Sequence, residues 1–291
     1  MSELDVLRQV SVCILSCNRR EDLRITLRGL ASAGSIWREI IVADNASTDG
    51  TREMVRDEFP DVLVIDTGGN LGVAGLNQAY RAAAGGWILS LDDDSCPDLD
   101  SWAPLCASLA VDTRFAAITC SVRSKPAGCT PASQAALVPY NGFHQAGGLL
   151  RRDLINRLGG FDGDLFLWGV ELHLTARAML AGFPMARCDS AVVVHRRTPF
   201  NRSSRRHARF YCRNLFLLVL RHGPEAVRRE LIDTFLSRVL LYSALHRTTI
   251  YIRAVREASR LYRHTRLRAP LRSEQFSAMH PDLRAPFSYL G

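Results

Sequence analysis

The sequence predicts an α/β fold: a mainly parallel, Rossmann-like sheet flanked by helices, with a helical extension at the C-terminus. Three observations predict it. Short apolar, partly β-branched runs alternate four times with stretches whose apolar residues recur at helical spacing, the pattern of βαβ units. The apolar runs end in polar or acidic clusters, and open parallel sheets bind ligands beyond the carboxyl ends of their strands. After His195 the composition shifts to dense arginine with interleaved apolar residues. The expected division is an α/β domain over residues 1–200 and a basic helical region over 201–291.

The first strand is read at residues 10–15. Leu23, Leu27 and Leu30 then place a helix, with Ser16 or Asn18 as its cap and Gly34 just past its end. Residues 39–43 form a second strand that runs into the polar turn from Asp44 to Thr51, and the helix starting there stops at Pro60. Residues 62–66 are a third strand. Gly68, Gly69 and Gly72 make a turn into a helix carrying Asn77 and Tyr80. Residues 86–91 are the fourth strand and lead directly into Asp92, Asp93 and Asp94. Strands are expected at 115–122 and 143–150 on either side of a proline-containing loop over 123–139, with another short strand at 191–194. In the tail, Phe210, Leu215 and Leu218, then Leu231, Phe235, Val239 and Tyr242, mark two or three amphipathic helices. A weakly ordered segment rich in proline and arginine is expected from about residue 265.

A chain that is 47% hydrophobic and 23% charged is globular rather than disordered. Its net charge of +8 favours anionic partners: phosphate-bearing substrates, an anionic membrane surface or nucleic acid. No recognition motif supports the last, so no nucleic-acid partner is expected. The eight cysteines contain no C-x-x-C pair, which argues against a zinc site and a compact disulfide framework and for reduced thiols. The N-terminus lacks a secretion signal, and the longest apolar run, 215–220, falls far short of a membrane span. The expectation is a cytoplasmic protein, with peripheral contact at the inner membrane face as the option its basic helices offer. The sequence leaves the oligomeric state open.

The acidic triplet carries the chemistry. Three adjacent anions repel one another unless a cation joins them, and Mg²⁺ or Mn²⁺ held by carboxylates and substrate phosphates resolves the conflict. The competing reading is a solvated acidic turn capping a helix after Pro97. Neighbouring parallel strands would bring Cys17, Asn18 and Arg19, Asp44, the 72–77 segment and the triplet to one rim. There Asp44 is a candidate acceptor for a base N–H and Asp92 a candidate ribose partner; the competing role for Asp44 is a local turn. No phosphate-cradling G-x-x-x-x-G-K-[ST] loop and no G-x-G-x-x-G fingerprint is present.

Ile-Leu-Ser-Cys-Asn-Arg at 14–19, Ile-Val-Ala-Asp-Asn-Ala-Ser-Thr-Asp-Gly-Thr at 41–51, Asn-Leu-Gly-Val-Ala-Gly-Leu-Asn at 70–77 and Leu-Asp-Asp-Asp-Ser at 91–95 occur in the order seen in family 2 glycosyltransferases. The resemblance spans roughly 10–195, with a weaker echo in Phe210-Tyr211-Cys212-Arg213-Asn214. It implies an inverting enzyme of the GT-A fold, rhamnosyltransferase-like or related. By it, Leu15, Cys17, Arg19, Asn70, Gly72 and Asn77 line the nucleotide-sugar pocket. Asp44 binds the base, Asp92 or Asp93 the ribose, and Asp94 the metal. Gly159-Gly160-Phe161-Asp162 resembles the segment lining the sugar and acceptor, placing Gly160 and Asp162 in the site and Trp168 on the acceptor side. His195 resembles a histidine that reaches the metal or diphosphate; outside that context it reads as a surface or capping residue.

At the catalytic base the chain departs from its relatives. The usual Gly-Glu-Asp-x-Asp-Leu is here Gly169-Val170-Glu171-Leu172-His173-Leu174, so Glu171 takes the base position while Val170 and His173 replace acids. Glu171 can perform the same proton transfer as Asp; its competing role is a helix first-turn charge. Leu76 stands where many relatives carry an arginine, which leaves the base preference loose between dTDP- and UDP-sugars. The expected acceptor is a glycan, a lipid-linked glycan or a small natural product. A catalytically degenerate nucleotide-sugar-binding protein and a nucleotidyltransferase are the alternatives from other classes.

Overall fold

The computed structural model describes residues 3–32, 34, 36–112, 114–126, 135–197, 204–265 and 267–279. Its contacts group the chain into two compact units, Met1–Phe161 with Phe183–Thr198, and Asp162–Gly182 with Pro199–Gly291. Residues 162–182 therefore group with the C-terminal helices, whereas the sequence reading drew a single boundary at 200.

In the first unit, α1 (Glu3–Leu7) precedes β1 (Val10–Ser16), α2 (Arg20–Ala31), β2 (Glu39–Asp44), α3 (Thr51–Glu58), β3 (Leu63–Asp66), α4 (Leu76–Ala82) and β4 (Trp87–Asp92). Then come β5 (Ser95–Asp98), α5 (Ala103–Val111), β6 (Ala117–Arg123), β7 (Val138–Pro139), β8 (Gly148–Arg151), α6 (Arg152–Leu158) and, after an excursion, β9 (Met185–His195). The strand order is β3-β2-β1-β4-β8-β6-β9-β5, with β7 paired to β9. β3, β2, β1 and β4 are parallel, as the alternating pattern predicts. The sheet continues through antiparallel β4–β8 and β6–β8 pairs, a parallel β6–β9 pair and an antiparallel β5–β9 pair.

The core follows from the periodicity. Val10, Val12 and Ile14 alternate on one face of β1, and Leu23, Leu27 and Leu30 of α2 pack into the same buried cluster at 0–1% exposure. Burial of each such leucine stabilises the fold by roughly 1.5–3 kcal/mol. Trp37 and Trp102 meet edge to face at 6.1 Å, and the Trp102 indole N–H donates to the Val192 carbonyl at 3.0 Å. Neither Ser16 nor Asn18 caps α2, contrary to the sequence reading; its first N–H, of Arg20, is accepted by Asp49 Oδ2 at 3.0 Å. Asn18 instead takes positive φ and accepts the Thr48 N–H at 2.7 Å, tying the end of β1 to the turn after β2.

β5 and β7 had no signal in the sequence. β5 contains Pro97 and lies last in the strand order, an edge where a missing N–H is tolerated. β9 is far longer than the strand expected at 191–194: Met185–Cys188 pair with Ala117–Cys120 and, after an irregularity that skips 189–191, Val192–Val194 pair with Ser121–Arg123.

The second unit holds α7 (Val170–Leu180), α8 (Ser204–His222), α9 (Arg228–Leu245), α10 (Ile250–Thr265) and α11 (Ser273–Ala278). Helix α8 is not amphipathic over its second half: residues 212–222 are all buried, including Arg213 and Arg221. The tail expected to be weakly ordered from about 265 contains α11, and residues 280–291 lie outside the described residues. Among the described residues, no helix is long and apolar enough to cross a membrane.

Candidate active site

The parallel register sets the rim of the first unit. Asp44 lies opposite Ser16 on one side and Asp66 on the other, and Asp92 lies opposite Leu15. Asp44 is fully buried. Its Oδ2 accepts the Ser47 N–H at 3.1 Å and lies 3.4 Å from Arg52 Nε, while its Oδ1 is buried without a partner. An orphaned buried carboxylate oxygen is costly unless a donor reaches it. A base N–H is such a donor.

The acidic triplet is not a solvated turn. Asp93 and Asp94 are 6% and 1% exposed. The Ser95 hydroxyl donates to the Asp92 carbonyl at 2.9 Å and accepts the Asp92 N–H at 2.8 Å, folding the chain back from β4 into β5. Arg19 faces the triplet, with Nε 3.0 Å from Asp93 Oδ1 and Nη2 3.0 Å from Asp94 Oδ2, and it also pairs with Asp22. Burial pushes the Asp93 carboxyl up to about 8; Arg19 opposes the shift, and Asp92 and Asp94 add to it.

The antiparallel pairing of β5 with β9 sets His195 opposite Ser95 and so delivers it to the triplet from a hundred residues away in sequence. His195 Nε2 is 2.8 Å from Asp94 Oδ1 and 3.5 Å from Asp92 Oδ2. One ligand atom each from Asp92, Asp94 and His195 lies within 4.8 Å of the others. Two carboxylates and an imidazole are a donor set that suits Mn²⁺ or Mg²⁺. The sequence reading had put Asp92 at the ribose; the geometry groups it with the candidate metal ligands. Arg196 had no role in the sequence reading. Its guanidinium donates to the Asp22 carbonyl at 2.8 Å, Thr26 Oγ1 at 3.0 Å and the Asp93 carbonyl at 3.3 Å, anchoring the turn on α2.

A second cluster gathers around Asn45, which the sequence reading also passed over. Asn45 Nδ2 donates to the Gly72 carbonyl at 2.8 Å, and its Oδ1 accepts the Leu71 N–H at 3.2 Å. A Cβ on Gly75 would come within 2.5 Å of that Oδ1 and 3.0 Å of Leu15, so the glycine permits the approach. Asn70 Oδ1 accepts the Gly72 N–H at 3.1 Å, and its amide nitrogen lies 3.4 Å from Cys17 Sγ. Leu15, Cys17, Asn70 and Gly72 are thus brought together beside Asp44.

Asn77 and Gly160 meet in a different way. The Asn77 amide donates to the Phe161 carbonyl and accepts the Phe161 N–H, both at 2.8 Å. Gly160 has φ of +78°, and a Cβ there would strike Asn77 Oδ1 at 2.2 Å. The amide that the sequence reading assigned to the nucleotide-sugar is committed to holding the Gly-Gly-Phe segment.

In the second unit, Asp162 and Asp164 grip Arg221, at 2.6 Å to Nη1 and 3.1 Å to Nη2 respectively. Burial opposes it, but the Asp164 N–H and the Arg221 guanidinium hold the Asp162 carboxyl below the usual carboxylate range. Asn214 donates to the Leu167 and Trp168 carbonyls at 2.9 and 2.8 Å. The weak motif around 210–214 therefore fixes the loop leading into α7. Trp168, at φ +56°, stacks on His207 at 4.5 Å. Glu171 stands in the first turn of α7 behind Gly169 as N-cap. His173 is a core residue: its Nε2 donates to the Asn214 carbonyl at 2.9 Å, and burial, with His222 adding to it, brings its pKa down to about 3.

The family model described as Glycosyl transferase family 2 matches residues 11–163. A TPR repeat-containing protein of Synechococcus elongatus is 35% identical over 101 residues, covering 35% of this chain and 24% of that protein. Galactofuranosyltransferase GlfT1 of Mycolicibacterium smegmatis is 26% identical over 216 residues, covering 64% of this chain and 70% of that protein. The chain thus spans about a quarter of the first relative and most of the second. Among solved structures, mannosyltransferase PcManGT from Pyrobaculum calidifontis, in complex with GDP-Man and Mn²⁺, superposes with a TM-score of 0.60 at 20% identity, covering 97% of this chain and 84% of that one. The fold is GT-A, and the family match takes in more than half of the 291 residues. The chain belongs to glycosyl transferase family 2.

Proposed function

We propose that the protein transfers a sugar, with inversion, from a pyrimidine nucleoside diphosphate sugar (dTDP- or UDP-linked) to an acceptor hydroxyl, using Mn²⁺ or Mg²⁺. The observation that carries this reading is the grouping of Asp92, Asp94 and His195 on the same sheet rim as the orphaned Oδ1 of Asp44. Adjacent strands lie about 4.8 Å apart, so Asp44 and Asp92, two strands apart, are separated by about 10 Å along the rim. A nucleoside diphosphate laid along it has its base at Asp44 and its phosphates at the triplet.

Asp44 Oδ1 accepts a base N–H. Leu15, Cys17, Asn70 and Gly72 line the nucleoside, and Asp92, Asp94 and His195 hold the cation. When bound, that ion neutralises the negative charge that builds on the departing diphosphate. Arg19 holds the Asp93 and Asp94 side chains in place and offsets the negative charge of the triplet. Glu171, with the positive end of the α7 dipole favouring its ionised form, removes the acceptor proton as the oxygen attacks the anomeric carbon. A single displacement leaves the anomeric centre inverted. Val170 and His173 are 2% exposed core residues that offer no base, which supports Glu171 in that role. Acceptors that suit the reading are a glycan, a lipid-linked glycan or a small natural product.

The test is release of nucleoside diphosphate from dTDP- and UDP-sugars in the presence of Mn²⁺ and candidate acceptors. Release that is lost in Asp94→Asn and in Glu171→Gln supports transfer. Release of pyrophosphate from a nucleoside triphosphate would make the protein a nucleotidyltransferase. Tight nucleotide-sugar binding with no turnover and no effect of Glu171→Gln would make it a binding protein.

A further inference from the structure

The second unit carries an exposed surface on which the proposed transfer places no residue. Leu240, Leu241 and Leu245 of α9 are 64%, 54% and 64% exposed, and Ala244 beside them is exposed as well. Spaced at i, i+1, i+4 and i+5, they form one contiguous apolar stripe on the last turns of α9. The first half of the exposed face is polar, with Asp233, Thr234 and Ser237, so the stripe is confined to one end of the helix. Residues 246–249 separate α9 from α10. On α10, Arg253, Arg256, Arg260 and Arg263 are all exposed at i, i+3, i+7 and i+10, a single face made of arginine. Where α10 begins, Arg205, Arg206 and Arg209 of α8 join Ile250, Arg253 and Glu257 in lining a cleft of about 370 Å³, with Glu257 paired to Arg209 at 2.7 Å.

We propose that this end of the second unit docks onto an anionic phospholipid bilayer, with Leu240, Leu241 and Leu245 entering the headgroup–acyl boundary and the α10 arginine face lying against the phosphates. Exposed leucines gain nothing from water, and an interfacial helix buries such a stripe in lipid while its basic neighbours pair with anionic headgroups. The charge is right for that occupant: residues 204–279 contain sixteen arginines, no lysine and five carboxylates. A second copy of the chain fits poorly, because a self-complementary interface on the stripe would set arginine-rich surfaces against each other. A nucleic acid would use the arginines and leave the leucines exposed. The proposal does not rest on the glycosyltransferase reading, and it gives the basic C-terminal helices a defined surface.

The experiment is co-sedimentation of the full chain with vesicles of phosphatidylcholine alone and with added phosphatidylglycerol. Binding is expected only with the anionic lipid and falls as salt rises. The Leu240→Ser/Leu241→Ser/Leu245→Ser variant is expected to lose at least tenfold in partitioning. Each of Arg253→Ser and Arg256→Ser is expected to lose about fivefold. Melting temperatures of all variants should stay near that of the parent, since the positions are solvent-exposed. Equal partitioning onto neutral vesicles, or unchanged binding by the leucine variant, would overturn the proposal. So would a dimer by light scattering that the leucine substitutions dissolve while the parent ignores vesicles, which would make a second copy the occupant.

Discussion

Arg221→Met will separate two accounts of Asp162. The sequence places Asp162 at the sugar; the structure places it on Arg221, which is 3% exposed and also bonds Asp164 at 3.1 Å and Thr265 at 3.2 Å. Removing one partner of a buried ion pair leaves an uncompensated charge and costs about 3–5 kcal/mol. Asp162 and Asp164 keep 23% and 37% side-chain exposure, so water recovers part of their solvation and the expected loss lies at the lower end, about 3 kcal/mol. In a unit of this size that lowers the melting temperature by roughly 10 °C. The assay is urea unfolding of parent and variant, followed by far-ultraviolet circular dichroism, to which the helices of the second unit contribute strongly. The triple variant Asp162→Asn/Asp164→Asn/Arg221→Met should recover part of the loss, since it removes the two carboxylates that Arg221 neutralises. A loss below about 1 kcal/mol, the size of an exposed pair, would refute the reasoning. An Asp162→Asn variant that changes substrate affinity without changing stability would restore the sugar-binding account.

Gly160→Ala must force a Cβ onto Asn77 Oδ1 at positive φ; loss of roughly 2–3 kcal/mol in chemical denaturation is expected, from αL strain and two weakened hydrogen bonds. Acid should destabilise the second unit. Burial brings His173 down to about 3 and His222 to about 4, so the unfolded chain binds more protons than the folded one below pH 6.5. The stabilising contribution is therefore complete above about pH 6.5 and falls by about 1.4 kcal/mol per pH unit per histidine on acidification towards the folded values. Denaturation midpoints that are equal at about pH 7 and about pH 5 would contradict the burial of both rings as neutral species. Glu171→Gln should reduce turnover by at least about a hundredfold while leaving nucleotide binding unchanged, which parallel rate and calorimetric measurements resolve.

The parallel half of the sheet was legible because each of its strands is an apolar run and α2 repeats leucine at 23, 27 and 30. Strand ends follow from that pattern, so Asp44 and the triplet could be placed on one rim from sequence. The sequence does not show what each side chain touches there. His195 reaches Asp94 only through β5, a proline-containing edge strand without a periodic signal. Asn77 and Gly160 are linked by packing across more than eighty residues, and only the family pattern marked both. Arg221 was invisible for a different reason: in an arginine-rich tail, charge reads as solvent-facing, and its burial depends on Asp162 and Asp164 arriving from another part of the chain. Asn45 was hidden by its neighbour Asp44, whose carboxylate is the louder feature, although Asn45 bonds both the Leu71 N–H and the Gly72 carbonyl and so organises that turn.

A cation held by Asp92, Asp94 and His195 that in turn holds a diphosphate is tested by the thermal stabilisation of the full chain by dTDP and UDP, with and without Mn²⁺, in the parent and in Asp94→Asn and His195→Gln. A ligand at a hundred times its dissociation constant stabilises the native state by about 2.7 kcal/mol. That shift is expected in the parent only when Mn²⁺ and a nucleoside diphosphate are both present, with its loss in Asp94→Asn and a smaller loss in His195→Gln. Equal stabilisation with and without Mn²⁺, or the same Mn²⁺-dependent shift in all three proteins, would contradict that cation site.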